Sequence, residues 1–384
     1  MRSLKYMFLL LFVIICGCWD RTEINDLAFV MGTAIDVADN GNLLCTIQIA
    51  VPLSIQGGMN GGGSGNKFFY ITAEGKNGNE VHDNLQKKSS RLLFYSHRSV
   101  VFLSERLAKQ GIENVLDIFT HDPRNRLKTY LMVVKGGEAR NILKLNSPLK
   151  QVPIEAVRGI EVSGEDVGVT LRDFFIAYES EGVHPVVGVV EQENRSNDPH
   201  KQVFRVSGTG VFKNLKLSGL LDERDTLVQL WVTGKLKNGP FTAKLPKGKG
   251  QVGMIINHFD RKIITQIQRD SVHFKIQLKG QGNLVENNTE LDINDPQNLK
   301  LIKKALEDAA KKQVQDFIIK IQKEYKADSV GFGREIYKNY PEQWDIWKNK
   351  WDKRFPESKI SIEVNLSIRG AGMVHSSFEQ KETE

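Results

Sequence analysis

The feature that most constrains this chain is its first twenty residues, a short basic and apolar leader that runs straight into Ile15-Cys16-Gly17-Cys18-Trp19-Asp20. Arg2 and Lys5 form a positive n-region and residues 7–15 an apolar h-region, too short to span a bilayer that requires ~20 apolar residues. A signal peptidase wants small residues before its cut; Gly17 supplies one before Cys18, whereas Cys16 follows bulky Ile15. Cys18 is therefore the expected lipidation site and the expected first residue of a mature chain. An ordinary cleaved signal peptide or an uncleaved anchor with two incidental cysteines is the alternative. A single acyl chain binds a membrane only marginally, so a diacylglyceryl group on Cys18 would hold the protein firmly. Strand-like sequence begins already at residue 27, which leaves almost no tether and puts the first folded unit close to the bilayer. With Cys16 removed and Cys18 acylated, only Cys45 of the three cysteines remains. No intramolecular disulfide is then possible, and stability must come from packing.

Cleavage before Cys18 removes 17 of the 384 residues and leaves 367, enough for two or three domains of roughly 100–200 residues. With 40% hydrophobic and 26% charged residues, the composition is that of a globular body, and no later segment approaches transmembrane length. Loss of Arg2 and Lys5 lowers the formal charge from +7 to +5. That excess suits an anionic lipid surface. It does not suit a nucleic-acid partner, because the lysines at 300, 303, 304, 311 and 312 alternate with an apolar helical stripe and lack interleaved exposed aromatics.

Along the chain, residues 27–30 and 43–49 read as strands. The glycine-rich stretch 57–66 reads as a flexible loop, a tolerated insertion rather than a binding loop. Residues 80–90 read as helix and 99–103 as a buried strand. Ser104 offers an N-cap to a helix that Gly111 stops. A further helix is expected over 112–120, a strand over 130–134 and a short helix over 139–145, so the arrangement is mixed α and β rather than a strict βαβ array. Charge, Asn, Ser and Pro199 make 191–202 the expected linker. Beyond it a hairpin turns near Asn214, and Asp222 with Asp225 caps a short helix carrying Leu227, Leu230 and Trp231 on one face, ended by Gly234. Strand-like runs at 253–259, 262–268 and 271–278 suggest an antiparallel meander. Asp295-Pro296 then opens the longest helix, whose apolar stripe from Leu299 to Tyr325 is expected to pack on the meander. A helix over 334–355 presents Trp344, Trp347 and Trp351 at i, i+3 and i+7, enough indole to serve as a candidate partner contact, with packing as the alternative. Residues 360–368 alternate as a closing strand.

No catalytic arrangement emerges. His121-Asp122 leads into a helix-ending Pro123-Arg124. The eight histidines are scattered rather than set at metal-ligand spacing. Gly208-Thr209-Gly210 is too short for a phosphate loop, and neither G-x-S-x-G nor H-E-x-x-H occurs. Glu161, Glu165 and Asp166 form no pattern that requires them to meet. The expectation is a protein that is not an enzyme, with no cofactor and no metal.

The residues singled out carry a resemblance. Gly17-Cys18-Trp19-Asp20, Glu23-Ile24, Leu27-Ala28 and Gly32 with Ile35-Asp36 are similar to the start of the GerC-type (Ger(x)C) lipoproteins, the C subunits of spore nutrient-germinant receptors. Thr46-Ile47-Gln48-Ile49 with Pro52 follow in family order, as do Val100-Val101-Phe102, the run Ser104 through Ile112, and Asp122-Pro123-Arg124. In the second half, Gly208-Thr209-Gly210-Val211-Phe212-Lys213, Leu220-Leu221 and Leu230-Trp231 with Gly234-Lys235 resemble the family's second block. The resemblance runs from Cys18 to about Gly370. It implies a non-enzymatic, lipid-anchored receptor subunit in the spore inner membrane, its body on the outer face, assembled with integral-membrane A and B subunits and needed for germination in response to nutrients. A substrate-binding lipoprotein of a solute importer is the alternative. It also implies three α+β domains with mixed and antiparallel sheets flanked by helices. After the leader (1–17) these are expected at 18–200 (membrane-proximal), 201–250 (small, middle) and 251–378 (with the long amphipathic helix), followed by a loose tail at 379–384.

Overall fold

Apolar runs in the first half of the chain build a sheet whose centre is parallel and whose arms are antiparallel. The structure, a computed structural model, describes residues 23–50, 68–121, 125–145, 167–195, 198–245 and 250–370. The strands of this first sheet are β1 (Leu27–Val37), β2 (Leu43–Ala50), β3 (Phe68–Gly75), β4 (Leu92–Phe94), β5 (Val100–Ser104), β6 (Tyr130–Lys135), β7 (Val186–Arg195), β8 (Asp198–Lys213) and β9 (Lys216–Leu221). They lie in the order β3-β2-β1-β5-β6-β7-β8-β9, with β4 beside the start of β1. The pairs β1/β5, β5/β6 and β6/β7 are parallel, while β1/β2, β2/β3, β7/β8 and β8/β9 are antiparallel.

Among the described residues, five helices cover this sheet: α1 (Gly78–Gln86), α2 (Glu105–Gln110), α3 (Glu113–His121), α4 (Ala139–Lys144) and α5 (Leu171–Glu179). Side chains alternate across a strand, so Val101, Leu103, Leu131 and Val133 meet Leu85, Leu107, Leu116, Phe119 and Phe174 on one face. Val100, Phe102, Met132 and Val134 meet Ala139, Ile142 and Leu143 of α4 on the other. Burial on both faces is why β5 reads as an unbroken apolar run. The local signals at α2 hold: the Ser104 hydroxyl accepts from the Leu107 N–H, and Gly111 ends the helix at φ 133°. The hairpin expected near Asn214 turns on Asn214 and Leu215, both left-handed at φ 49° and 57°, the two-residue turn that matches strand twist. Leucine tolerates that backbone here because its side chain packs on the core and its carbonyl accepts from Ile112 N at 3.1 Å.

Residues 191–202 are not a linker. Glu191 pairs with Arg205, Gln192 with Phe204 and Glu193 with Val203 in the ladder between β7 and β8. Their polarity belongs to the outer end of a hairpin, which composition alone does not separate from a linker.

Helix α6 (Glu223–Thr233) joins the first sheet to the second. It starts on Asp222, whose carboxylate accepts from Asp225 N at 2.8 Å, and stops at left-handed Gly234. It buries Val228, Leu230, Trp231 and Val232 but also Asp225, Thr226 and Gln229, rather than the single apolar face expected. The reason is its position, with β8 and β9 on one side and the second sheet with its long helix on the other. Those three polar side chains are paired, as burial favours: Thr226 with Thr209 at 2.9 Å, Gln229 with Ser329 at 2.8 and 2.9 Å, and Asp225 with Lys320.

The second sheet is β10 (Gly239–Lys244), β11 (Gln251–Gln268), β12 (Ser271–Asn287) and β13 (Lys359–Gly370) in that order, the last parallel to β12 and the others antiparallel. Residues 253–259 and 262–268, expected as two strands, are one. Asp260-Arg261-Lys262 imitate a turn by composition, but they continue the ladder opposite Lys279, Leu278 and Gln277 of β12, and the real turn is Arg269-Asp270, with Arg269 at φ 54°. Helix α7 (Pro296–Ile319) opens on Asp295 as expected and lays Ile302, Leu306, Ala310, Val314, Phe317 and Ile318 against the sheet. The helix expected over 334–355 is broken into α8 (Phe332–Asn339), α9 (Pro341–Trp347) and α10 (Trp351–Arg354). Pro341 has no N–H to give and forces Tyr340 off helical geometry, to φ −142° and ψ 63°.

Candidate functional site

Cys18 lies outside the described residues, as do the 57–66 loop, Asp122-Pro123-Arg124 and the carboxylates of Glu161, Glu165 and Asp166. The described chain begins at Glu23, five residues beyond Cys18, and Ile24–Asp26 forms a single 3-10 turn before β1. The expected membrane attachment therefore adjoins the β1 end of the first sheet. Among the described residues, no helix is long and apolar enough to cross a bilayer.

The three tryptophans do not form a surface. Trp344, Trp347 and Trp351 are 2%, 1% and 3% exposed, which corrects the expectation that they are a candidate partner contact. Because the helix breaks around them, the indoles fold inward. Trp351 packs against Trp344, Phe274 and Phe355, and the Arg354 guanidinium lies 4.6 Å from the Trp347 ring centre.

Beneath this cluster sits a fully buried carboxylate that the sequence reading did not single out. Asp328 accepts from the N–H groups of Gly331, Phe332 and Gly333 at 2.8, 3.0 and 2.8 Å and from Trp351 Nε1 at 3.1 Å. Burial pushes its carboxyl up to about 6, although all four donors pull it down. Its backbone is tied to the first sheet: Asp328 N donates to His184 Nδ1 at 3.0 Å, and His184 N donates to Asp328 O at 2.8 Å. Burial holds the His184 imidazole below its ordinary value against the pull of Asp352. Nearby, Arg334 N donates to Gly182 O at 3.1 Å and Trp344 Nε1 to Glu181 Oε2 at 2.8 Å. This knot bolts the C-terminal helices onto the loop that leads into β7. No local sequence pattern marks Asp328, since its partners are His184, the 331–333 turn and Trp351.

A cavity of about 760 Å³ opens between the inner face of β1 and β2 and helices α1 and α3, within the size range of small-molecule sites. Ile35, Leu43 and Val81 are among its apolar walls, and Asn79, Asn114 and Arg98 among its polar ones. The buried Arg98 guanidinium stacks 4.6 Å from the Phe119 ring and donates from Nη2 to Asn125 Oδ1 at 2.6 Å. Cys45 also lines it, but burial pushes that thiol up to about 12, so it stays protonated and is no nucleophile at neutral pH. Among the described residues, no three His, Cys, Asp or Glu side chains gather as a metal-binding group.

The two sheets, the helix between them and the Asp328 knot define an α+β protein. Profiles of known families then place it. Residues 20–192 match the spore germination protein N-terminal domain and residues 207–372 the spore germination B3/GerAC-like C-terminal domain. The chain belongs to this Ger(x)C family, as the motif series led us to expect. Among relatives from Bacillus subtilis (strain 168), it is 29% identical to spore germination protein KC, with 96% of each chain covered, and 26% identical to spore germination protein B3, with 96% of this chain and 97% of that one covered. A crystal structure of the GerBC protein shares the fold, at a TM-score of 0.59 and 21% identity over 91% of this chain and 100% of that one.

Proposed function

We propose that this chain is a non-enzymatic, lipid-anchored C subunit of a spore nutrient-germinant receptor. It is held by acylated Cys18 in the spore inner membrane with its body on the outer face, beside integral-membrane A and B subunits. The observation that carries the reading is the family match over nearly the whole chain, which begins two residues after the leader's Gly17-Cys18 pair. The mechanism is positional. Acylation confines the body to the membrane surface, the short tether limits its orientations, and the raised effective concentration favours docking on membrane partners.

The test is intact-mass analysis and membrane fractionation of wild type and Cys18→Ala, expressed from the native locus in sporulating cells, followed by germination on a panel of nutrients. A diacylglyceryl group on the wild type, release of the variant and loss of a nutrient response support the proposal. An unmodified wild type, or a released variant with every germination response intact and uptake of a solute lost, would turn the reading toward an importer's binding lipoprotein.

A further inference from the structure

Next to the expected anchor the fold exposes apolar surface that its core does not use. Strand β4 runs parallel to the first three residues of β1, pairing Leu27 with Leu92, Ala28 with Leu93 and Phe29 with Phe94. Ala28 and Leu93 turn inward, at 4% and 2% exposure. Alternation therefore sends the other set outward: Leu92 is 50% exposed, and Leu27, Phe29 and Phe94 are half-buried. Phe29, Phe94 and exposed His97 pack ring against ring at centroid distances of 5.3 to 5.7 Å, which makes the tip rigid. Ile24, on the 3-10 turn just before β1, is 73% exposed. Single exposed apolar residues need no explanation, but a contiguous apolar edge does.

The chain that leads into this edge indicates what covers it. Cys18 precedes Ile24 by six residues, a segment that spans at most ~20 Å even fully extended. Acyl chains on Cys18 would thus keep Ile24 within that distance of lipid and Leu27, the partner of Leu92, within ~30 Å. The turn that enters β4 carries exposed Lys87 and Lys88 and half-buried Arg91, and exposed Glu23 and Asp26 flank Ile24 at the 3-10 turn. An apolar tip with cations beside it suits the boundary between headgroups and acyl chains.

We infer that the β1/β4 tip, led by Ile24 and Leu92 and stiffened by Phe29 and Phe94, docks into the interfacial layer of the bilayer that holds Cys18. This inference rests on the anchored reading above. It adds a second contact, which turns a flexible tether into a fixed tilt of the body on the membrane and so dictates which faces point sideways toward membrane partners.

The experiment uses the full acylated protein purified from membranes and reconstituted on vesicles of phosphatidylcholine and phosphatidylglycerol. Single cysteines introduced as Ile24→Cys, Leu92→Cys and, on α7 over the second sheet, Leu301→Cys carry an environment-sensitive fluorophore. All three positions are at least half exposed, so the changes spare the core, and buried Cys45 stays unlabelled. Labels at 24 and 92 should shift to the blue on vesicles and be quenched severalfold by nitroxide-bearing lipid, while the label at 301 does neither. Protein that sediments with vesicles while the labels at 24 and 92 remain in water would overturn the docking inference alone. Protein that does not sediment at all would overturn the anchored reading and the docking with it.

Discussion

Replacing Asp328 with asparagine changes almost nothing in volume but inverts half of the hydrogen-bonding chemistry at the most buried carboxylate described. Oδ1 accepts from Gly331 N and Phe332 N, and Oδ2 from Gly333 N and Trp351 Nε1. Asparagine keeps one accepting oxygen and presents an NH₂ group to the other two donors. Two buried N–H groups then lose their acceptor, at about 1–3 kcal/mol each, so the expected loss is about 2–6 kcal/mol. Against the roughly 5–15 kcal/mol that separates most folded domains from their unfolded state, such a loss moves the unfolding transition far. Urea unfolding of the body without its leader, followed by tryptophan fluorescence at pH 8, reads the loss directly, because Trp351 is one of the four donors. At that pH the wild-type carboxyl, pushed up to about 6, is ionised. The control is Asp352→Asn, whose 47% exposed carboxylate pairs with Lys213 at 3.3 Å and should cost no more than about 1 kcal/mol. An Asp328→Asn transition within about 0.5 kcal/mol of wild type, the range of innocuous surface changes, would refute the acceptor argument.

Three further outcomes are expected. Gly182→Ala places a Cβ 2.3 Å from the Gly333 carbonyl carbon at a φ of 68°; strain and overpacking together should cost about 2–5 kcal/mol, seen as a lowered thermal midpoint. Burial raises the Cys45 thiol to about 12, with Arg98 opposing it. The stability this group contributes is therefore complete below the unfolded value of ~8.5 and declines with rising pH until about 12, by about 1.4 kcal/mol per unit relative to Cys45→Ala. Parallel urea midpoints for the two proteins between pH 8 and 10.5 would contradict this. Trp347→Ala should destabilise the isolated body by about 3–5 kcal/mol; an equally stable variant that fails to assemble with membrane partners would restore the indoles as a contact.

Local chemistry was legible wherever it was decided locally. Ser104, Asp222 and Asp295 cap the helices they were expected to cap, Gly111 and Gly234 stop them, and the hairpin turns at Asn214. Two failures come from composition. Residues 191–202 are polar because they form the outer end of the β7/β8 hairpin, and 260–262 because charged residues occupy the middle of β11, so each stretch is composed like a loop although it is paired as a strand. Tryptophans at helical spacing looked like a stripe until Pro341 broke the helix and turned them inward. Asp328 gave no signal because its four partners come from a turn and from an indole 23 residues away.

The helix caps and the family motif series were determined by sequence alone, since each depends on neighbours within a few residues or on order along the chain. Only the tertiary structure decided that α6 is buried between two sheets, that Asp328 ties the C-terminal helices to the loop before β7, and that Leu92 lies beside Leu27 at the start of β1. Those facts depend on which distant segments share a boundary, and burial is a property of that boundary rather than of any one segment.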